Sequence, residues 1–369
     1  MTSHILTSVK DGIATITLNR PEALNSLSLA MIRAIRSALD TWANDAAVKA
    51  VVLQSSAEKA LCAGGDIRFF YQAAQASTLQ GSALLEDFFT EEYALVHRIA
   101  NYAKPYISIM QGVVMGGGMG IAQPARLRIV TQSSKIAMPE VNIGLFPDVG
   151  GTRFLAHLPG QLGAYLGVTG ESIAAADALH CGMADLAVQN SALEEFKDGI
   201  RNIYAPFREK MVQKAHEIYG EQNYLLPLDP QQSLLARMQP CIDRAFAQDQ
   251  ISKIMQALST ESRSEFQDFA RATLLTMAKR SPLLMQVSLT AIRRAKTMTL
   301  ADALRMERNL VRRTFEHGEV IEGVRALVID KDNAPRWNPS AISQVTRQMV
   351  EHFFQPCWPA CMHPLRDLF

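Results

Sequence analysis

The feature that most constrains the fold is a change of hydrophobic period near the N-terminus. Apolar runs on both sides of Asp11-Gly12 predict a β-hairpin, because this dipeptide is typical of tight hairpin turns. Apolar residues then recur at helical spacing from Leu29 to Trp42, with Ser28 as the predicted N-cap. Ala50–Leu53 is fully apolar and predicts a short buried strand. Strand, helix and strand in this order predict a mixed or parallel sheet.

Further short strands continue this α/β pattern and then stop. Pro105–Met110, Arg128–Val130 and Ile136–Met138 are predicted strands, whereas residues beyond about 190 carry helical periodicity and few strand signals. Ser281-Pro282 is a predicted helix start, with serine as N-cap and proline at the first helical position. The sequence therefore predicts an α/β core up to about residue 200 and a mainly helical C-terminal region.

Composition excludes several classes of function. The chain has 369 residues, 48% of them hydrophobic, and 37 Lys and Arg against 36 Asp and Glu give a net charge of +1. This net charge gives no strong electrostatic field of either sign, so binding to nucleic acid or to an anionic membrane is not predicted. No apolar run approaches the roughly 20 residues of a membrane span. The first ten residues resemble neither a signal nor a transit peptide. A soluble, cytoplasmic protein is expected.

Five scattered cysteines do not predict a disulfide framework in a chain of this size. Cys357 and Cys361 are four residues apart, with His352 and His363 nearby, which is compatible with a zinc site. Neither a CxxC pair nor a second cysteine pair accompanies them. We therefore expect no metal, and a terminal segment whose cysteines occur by chance.

Two glycine loops, Ala63–Asp66 and Gly116–Gly118, each follow a short apolar run. Loops that end a strand and open into a helix leave backbone N–H groups unpaired, and two facing loops can hold one oxygen as an oxyanion hole. Each loop read alone is equally compatible with a tight turn. A dinucleotide-binding loop is excluded, because the positions that need glycine or alanine hold Ile121 and Gln123.

A pair of acids brackets an apolar run between two prolines. Glu140 follows Pro139, and Asp148 follows Pro147, so the backbone is restricted at both ends. Two carboxylates beside an apolar pocket acquire shifted and unequal pKa values, as acid–base chemistry requires. Two alternatives stay open at this point, namely Asp148 as a helix cap and Glu140 as a surface charge.

The order and spacing of these motifs resemble one superfamily. LNRPEALNSL, ALCAGGDI, QGVVMGGGMGIA and AMPEVNIGLFPDVGGTRFLAHLPG follow one another as in the crotonase (enoyl-CoA hydratase/isomerase) superfamily. SPLLMQVSL, EGVRALVIDKD and PRWNP extend the resemblance to the 3-hydroxyisobutyryl-CoA hydrolases, and only the last residues, PCWPACMHPLRDLF, have no counterpart. The resemblance implies a spiral of ββα units. It implies a crotonase-like acyl-CoA-binding core in residues 1–200 and a helical C-terminal region in residues 201–369.

The acids depart from the hydratase pattern. Typical hydratases use two glutamates, one matching Glu140 and one at a position that here holds Gly120. The hydroxyisobutyryl-CoA hydrolases instead carry a glutamate matching Glu140, an aspartate matching Asp148 and a substrate-site glutamate matching Glu92. The resemblance thus implies Glu140 and Asp148 as catalytic residues. Glu92 read alone is also compatible with an exposed helical charge.

The same resemblance implies where acyl-CoA binds. Backbone N–H groups of Gly65 and Gly117 are the implied oxyanion hole. The loop that contains Ala63, Asp66 and Ile67 is implied to border the adenine end of coenzyme A. Coenzyme A is then part of the substrate, and neither a separate cofactor nor a metal is expected, because N–H donors polarise the carbonyl.

The implied reaction is hydrolysis of a short branched 3-hydroxyacyl-CoA, with a place in valine breakdown. Glu140 either attacks the thioester or activates water, and Asp148 either holds the 3-hydroxyl or moves a proton. An enoyl-CoA hydratase or isomerase and an inactive acyl-CoA-binding protein are the alternatives. The oligomeric state stays open, because many crotonases form trimers whereas a longer helical C-terminus could cover that surface.

Overall fold

The computed structural model describes residues 3–76, 82–222, 224–226 and 232–369. Its contacts divide the chain into two compact units, each built from three segments. The first unit comprises Met1–Gly65, Leu95–Ala137 and Ile173–Ala236, and the second comprises Asp66–Ala94, Met138–Ser172 and Arg237–Phe369. The expected boundary near residue 200, between an acyl-CoA-binding core and a helical C-terminal region, stays a prediction.

All the strands named here lie in the first unit. They are β1 (Ile5–Lys10), β2 (Ile13–Leu18), β3 (Ala50–Ser55), β4 (Ala60–Cys62), β5 (Tyr106–Met110), β6 (Val113–Met115), β7 (Leu127–Thr131), β8 (Lys135–Ala137) and β9 (Leu186–Val188). One sheet has the order β1-β2-β3-β5-β7-β9, and the other has the order β4-β6-β8. Among the pairs of these described strands, β1–β2 is antiparallel and the others are parallel.

The hairpin turn is formed as the sequence predicts. Asp11 and Gly12 both have positive φ, 51° and 82°, which a two-residue turn of this kind requires. Strand β2 alternates between buried and half-buried positions, whereas β5 and β7 are buried throughout. Uninterrupted burial is typical of parallel strands that are covered on both faces.

The three-residue strands are where the sequence prediction was incomplete. Ala60–Cys62, the apolar run before the first glycine loop, was not predicted as a strand but forms β4, which pairs with β6. Strands this short carry too few residues for a hydrophobic period to be recognised. Their formation depends on partners more than 50 residues away, such as Ala60 beside Val113.

The helices of the described residues follow in chain order. They are α1 (Leu29–Ala43), α2 (Ile67–Ala76), α3 (Ala83–Ala100), α4 (Gly117–Ala122), α5 (Gly151–Ala156), α6 (Leu162–Thr169), α7 (Ala175–His180), α8 (Leu193–Ile203), α9 (Arg208–Tyr219), α10 (Leu234–Phe246), α11 (Ile251–Ser259), α12 (Ser264–Met277), α13 (Pro282–Ala295), α14 (Leu300–His317), α15 (Glu319–Val324) and α16 (Arg347–Phe353). The mainly helical C-terminal region is therefore confirmed. None of these helices is long and apolar enough to cross a membrane.

Local capping agrees with the sequence at both predicted starts. The Ser28 hydroxyl accepts the N–H of Met31 at the start of α1, and the Ser281 hydroxyl accepts the N–H of Leu284 at the start of α13. Pro282 occupies the first helical position, where its missing N–H costs nothing.

A strand pair followed by a helix recurs three times along the chain: β3, β4 and α2, then β5, β6 and α4, then β7, β8 and α5. In each pair the first strand joins the larger sheet and the second joins the smaller one. This recurrence is the predicted spiral of ββα units. Apolar side chains between the larger sheet and helices α8 and α9, including Ile129, Phe196 and Met211, form a core of the first unit.

Candidate active site

The two predicted glycine loops lie against each other in the first unit. Gly64 has φ of 110°, and a Cβ there would lie 3.3 Å from the Met115 carbonyl oxygen and 3.7 Å from the Gly117 nitrogen. A Cβ on Gly118 would lie 2.4 Å from the Cys62 carbonyl oxygen. Since such a separation is shorter than any ordinary contact, only glycine permits this approach of the two backbones.

The backbone N–H groups of Gly65 and Gly117 have no backbone acceptor within the part of the chain that the structure describes. Gly117 is the first residue of α4, where an N–H has no partner inside the helix. The neighbouring groups are engaged, because the Gly64 carbonyl accepts from Leu27 at 2.8 Å and Gly116 donates to Ala137 at 3.3 Å. The two loops therefore supply N–H donors for an additional acceptor.

Four buried carboxyl groups form a cluster in the second unit. Glu92, Glu140, Asp148 and Glu307 are 2%, 6%, 4% and 0% exposed. Within the described ranges, none of them forms a salt bridge to lysine, arginine or histidine. Burial without a cationic partner disfavours the charged form and raises the pKa of each group. The alternative that Glu92 or Glu140 is a surface charge is excluded.

Glu140 begins a 3-10 turn that ends in a left-handed glycine. The turn spans Glu140–Ile143, Gly144 follows with φ of 68°, and the Glu140 carbonyl oxygen accepts the N–H of Leu145 at 3.0 Å. A Cβ on Gly144 would meet the Glu319 carbonyl oxygen at 2.5 Å, so the turn depends on glycine. Burial, followed by the nearby charge of Asp148, raises the pKa of Glu140 well above its usual value. Its Oε2 atom has no hydrogen-bond partner among the described residues.

Asp148 is held by a tyrosine. The Tyr93 hydroxyl on α3 donates to Asp148 Oδ2 at 2.7 Å. Burial raises the pKa of Asp148 to about 6, while the Tyr93 hydrogen bond and a backbone N–H oppose that rise. The pKa of Tyr93 is itself raised well above its usual value, first by burial and then by the charge of Asp148, so Tyr93 remains a donor.

The residue that caps the helix after Asp148 is Glu307 on α14, which sequence reasoning missed. Glu307 Oε2 accepts the N–H of Gly150 at 2.7 Å, and Oε1 accepts both the N–H of Thr152 at 3.0 Å and its hydroxyl. The alternative that the Asp148 side chain caps α5 is therefore excluded, since Asp148 accepts the hydrogen bond of Tyr93 instead. Burial raises the pKa of Glu307 to about 8.

A signal for Glu307 was present in the helical period of α14. Leu304, Glu307, Leu310, Val311 and Thr314 recur on one face, and all five are buried. A charged residue at the apolar positions of a helix marks a buried charge with a dedicated partner. Tyr93 carried no such signal, because a buried tyrosine is common in an apolar helix.

The residues predicted to contact coenzyme A have local structural roles in the structure. Ala63 is half-buried in the first glycine loop. The Asp66 side chain accepts the N–H of Phe69 at 3.3 Å, and its carbonyl oxygen accepts the N–H of Phe70 at 3.2 Å, at the start of α2. Ile67 is the first residue of that helix. Their contact with coenzyme A stays a prediction.

Cys357 and His363, two members of the candidate zinc site, form hydrogen bonds to other parts of the protein. The N–H of Cys357 donates to the Asn309 side chain at 3.0 Å, and the His363 ring lies 3.3 Å from the Arg305 carbonyl oxygen. Over the described residues, no group of three or more His, Cys, Asp or Glu side chains is arranged to hold a metal ion.

The two sets of groups support two kinds of chemistry. Unpaired N–H donors in the first unit can stabilise an oxygen that becomes negative. Carboxyl groups in the second unit have pKa values raised by burial above their usual range, which suits proton transfer or attack on a carbonyl. These are the features of an enzyme acting on an activated acyl group.

Comparison with known proteins identifies the class. The sequence model described as enoyl-CoA hydratase/isomerase matches residues 13–354, and the chain belongs to that family. The predicted membership of the crotonase superfamily and the predicted fold class are therefore confirmed.

Individual relatives narrow the similarity. The chain is 36% identical over 352 residues to the mitochondrial 3-hydroxyisobutyryl-CoA hydrolase of Danio rerio, covering 95% of this chain and 89% of that protein. It is 33% identical to the protein of the same name from Gallus gallus, covering 96% and 89%. The structure titled carnitinyl-CoA dehydratase from Mycobacterium thermoresistibile superposes with a TM-score of 0.86 at 34% identity, covering 97% and 98%. The predicted similarity to the 3-hydroxyisobutyryl-CoA hydrolases is confirmed.

Proposed function

We propose that this protein hydrolyses a short, branched 3-hydroxyacyl-CoA thioester, with 3-hydroxyisobutyryl-CoA as the preferred substrate. The observation that carries the proposal is the buried pair Glu140 and Asp148, whose environment raises both pKa values, in a chain similar over nearly its full length to hydrolases named for this substrate. The products are the free acid and coenzyme A.

The N–H groups of Gly65 and Gly117 are assigned to the thioester oxygen. Their lack of a backbone acceptor among the described residues supports this role, because an oxyanion hole has to be unpaired before substrate binds. Removing one such donor typically costs about 10²–10³ in turnover. The loop with Ala63, Asp66 and Ile67 is assigned to coenzyme A.

Glu140 is assigned to the carbonyl carbon. In one route its carboxylate attacks, the C–S bond breaks, coenzyme A leaves as the thiol after gaining a proton, and water then hydrolyses the mixed anhydride. In the other route Glu140 takes a proton from water, which attacks directly. The unpartnered Oε2 of Glu140 supports either route, since that oxygen is free to act.

Asp148 and Glu92 are assigned to the acyl chain. Tyr93 occupies Oδ2 of Asp148, so Oδ1 is the oxygen proposed to accept the 3-hydroxyl of the substrate. Glu92 lies within electrostatic range of Asp148. Burial is the larger cause of the raised pKa of Glu92, and the charge of Asp148 is the smaller cause. A buried site built to hydrogen-bond a hydroxyl discriminates strongly against substrates that lack it.

The test is an assay of the purified protein with 3-hydroxyisobutyryl-CoA and a thiol reagent. Release of free coenzyme A is expected, faster than from isobutyryl-CoA. A protein that binds the thioester without releasing coenzyme A contradicts the proposal and supports an inactive acyl-CoA-binding protein.

One observation favours a second candidate, an enoyl-CoA hydratase or dehydratase. The structure with TM-score 0.86 carries the name of a dehydratase. Against this candidate, position 120 is glycine, so one of the two glutamates of typical hydratases is absent. The same preparation incubated with crotonyl-CoA decides between them, because hydration consumes the enoyl thioester without releasing coenzyme A.

The proposed setting is a step in valine breakdown that needs neither a metal nor a separate cofactor. A cytoplasmic location is proposed from the sequence, although the Danio and Gallus relatives are named as mitochondrial. Fractionation of the native cell tests the compartment. A homo-oligomer is compatible with the proposal, and measurement of mass in solution tests it.

A further inference from the structure

Glu307 is a fully buried carboxyl group to which the proposed reaction assigns no role. It is 0% exposed and lies in the middle of α14, 155 and 157 residues from the two backbone donors that it binds. Burying a carboxyl group costs free energy unless its oxygens are hydrogen-bonded. Its two oxygens receive three hydrogen bonds, all from the four residues that follow Asp148.

The backbone that Glu307 holds is one that does not form readily. Val149 has φ of 52°, a left-handed conformation that is a clear outlier for a β-branched residue, and Gly150 has φ of 83°. Such strain persists only where surrounding contacts over-determine it. Gly150 is the N-cap of α5 and has no side chain with which to cap the helix, so Glu307 supplies the missing acceptors.

The next residue on α14 holds the partner of Asp148. Arg308 is also 0% exposed, and its guanidinium donates to the Thr90 hydroxyl at 3.2 Å and to the Glu86 carboxylate. Thr90 and Glu86 lie on α3, one and two turns before Tyr93. Two consecutive residues of α14 therefore bind the segment that follows Asp148 and the helix that carries its hydrogen-bond donor.

We propose that Glu307 is a positioning residue that holds the Val149–Gly150 turn, and thereby orients Asp148 toward Tyr93 and the 3-hydroxyl of the substrate. This inference rests on the proposed function. It deepens that function by naming the residue on which recognition of the hydroxyl depends. Glu307 itself touches neither the acyl chain nor the reacting atoms in this proposal.

The chemistry of the contact distinguishes a carboxylate from an amide. Gly150 donates to one oxygen of Glu307 and Thr152 donates to the other. These donors favour the ionised carboxylate, which accepts at both oxygens, and they oppose the rise that burial causes in its pKa. Glutamine has the same shape but offers an NH₂ group in place of one oxygen, and this group would face a backbone N–H. The groups that face Asp148 are Tyr93, Glu92, Glu140 and Glu307, all within the second unit.

The experiment compares Glu307→Gln with Glu316→Gln in the full-length protein. Glu316 is an exposed glutamate on the same helix and serves as the matched control. Both variants are assayed with 3-hydroxyisobutyryl-CoA and isobutyryl-CoA. For Glu307→Gln, we expect the ratio of the two kcat/KM values to fall at least about tenfold, because misorientation of Asp148 removes recognition of the hydroxyl. Glu316→Gln should keep the wild-type ratio.

A purely structural role of Glu307 would lower the amount of folded enzyme and reduce both activities in proportion. An unchanged ratio for folded Glu307→Gln therefore overturns the inference. If that variant does not fold, Thr152→Val decides, because it removes one of the three hydrogen bonds and keeps the backbone bonds. A reduced ratio for Thr152→Val supports the inference, and a wild-type ratio overturns it. Absence of hydrolysis by the wild-type protein is a separate result, which contradicts the proposed function itself.

Discussion

Replacement of Tyr93 by phenylalanine removes one hydroxyl group and leaves the ring in its apolar surroundings. That hydroxyl donates to Asp148 Oδ2 at 2.7 Å, and both side chains are buried. The hydrogen bond stabilises the ionised form of Asp148 and opposes the effect of burial. Without it, Asp148 should hold its proton more tightly, and the ionised form that we propose accepts the substrate hydroxyl should require a higher pH.

The size of the effect follows from the charge on the acceptor. A hydrogen bond to a charged group contributes about 1.5–3 kcal/mol, which corresponds to about 1–2 pKa units. The pKa of Asp148 is about 6 in the intact protein, so Tyr93→Phe should raise it to about 7–8. At about pH 7, the ionised fraction of Asp148 should fall from roughly nine-tenths to between roughly one-half and one-tenth.

The assay is kcat/KM for 3-hydroxyisobutyryl-CoA as a function of pH, measured by loss of the thioester absorbance. The acid limb of the profile should move to higher pH by about 1–2 units, and activity should recover in mildly alkaline buffer. Tyr102→Phe is the matched control, because its buried hydroxyl donates to the neutral Leu39 carbonyl oxygen at 2.7 Å. This control should keep the wild-type pH midpoint. An acid limb that stays in place in Tyr93→Phe, or that moves equally in both variants, refutes the reasoning.

Four further predictions concern the carboxyl groups and position 120. Glu140→Gln should lower kcat at least about a hundredfold, as expected for loss of an acid–base or nucleophilic group, and near wild-type turnover would remove Glu140 from the mechanism. The folded protein raises the pKa of Glu140, so it binds that proton more tightly than the unfolded chain does. The resulting stability is fully present below the unfolded pKa and is lost as pH rises through the folded pKa. In thermal melts at increasing pH, Glu140→Gln should therefore lose less stability than the wild type. Asp148→Asn should reduce kcat/KM more for 3-hydroxyisobutyryl-CoA than for isobutyryl-CoA, whereas equal losses would indicate a general proton-transfer role. With Gly120 in place of a glutamate, hydration of crotonyl-CoA should be negligible beside hydrolysis, and rapid loss of the enoyl absorbance would promote the hydratase alternative.

The elements that could be predicted from the sequence are those stabilised by neighbours in the chain. The Asp11-Gly12 turn and the Ser28 and Ser281 caps depend on residues one to three positions away, so their signals are local. The close packing of the two glycine loops could also be predicted, because close approach of two backbones requires glycine, and the glycines can be read from the sequence. Strand β4 could not be predicted, since its three residues form a strand only through pairing with Val113 and Val114.

The candidate site divides in the same way. Glu140 and Asp148 were identified from their prolines and from resemblance, and the structure adds that both are buried. Their supporting partners come from much farther along the chain, because Tyr93 is 55 residues from Asp148 and Glu307 is 157 residues from Gly150. No local rule connects such positions. A buried partner of this kind is found only when the fold shows which helix faces lie against the loop.

The different hydrogen bonding of the two buried acids bears on the proposed mechanism. Asp148 receives the Tyr93 hydrogen bond and has a pKa of about 6, whereas Glu140 has an oxygen without a partner and a pKa raised well above its usual value. Unequal pKa values in a carboxyl pair are what separates an acid from a base. The Tyr93 hydrogen bond therefore favours the ionised form of Asp148, whereas burial and the nearby charge of Asp148 favour the protonated form of Glu140.

This difference constrains both proposed routes. Attack by Glu140 and activation of water by Glu140 each require the ionised carboxylate of Glu140. Asp148 lies within electrostatic range of Glu140, has a pKa of about 6, and has one oxygen not engaged by Tyr93. We propose that Asp148 accepts a proton from Glu140 through the substrate hydroxyl. In this proposal, recognition of the hydroxyl and activation of Glu140 depend on the same carboxylate, so a substrate without the hydroxyl should lose rate as well as affinity.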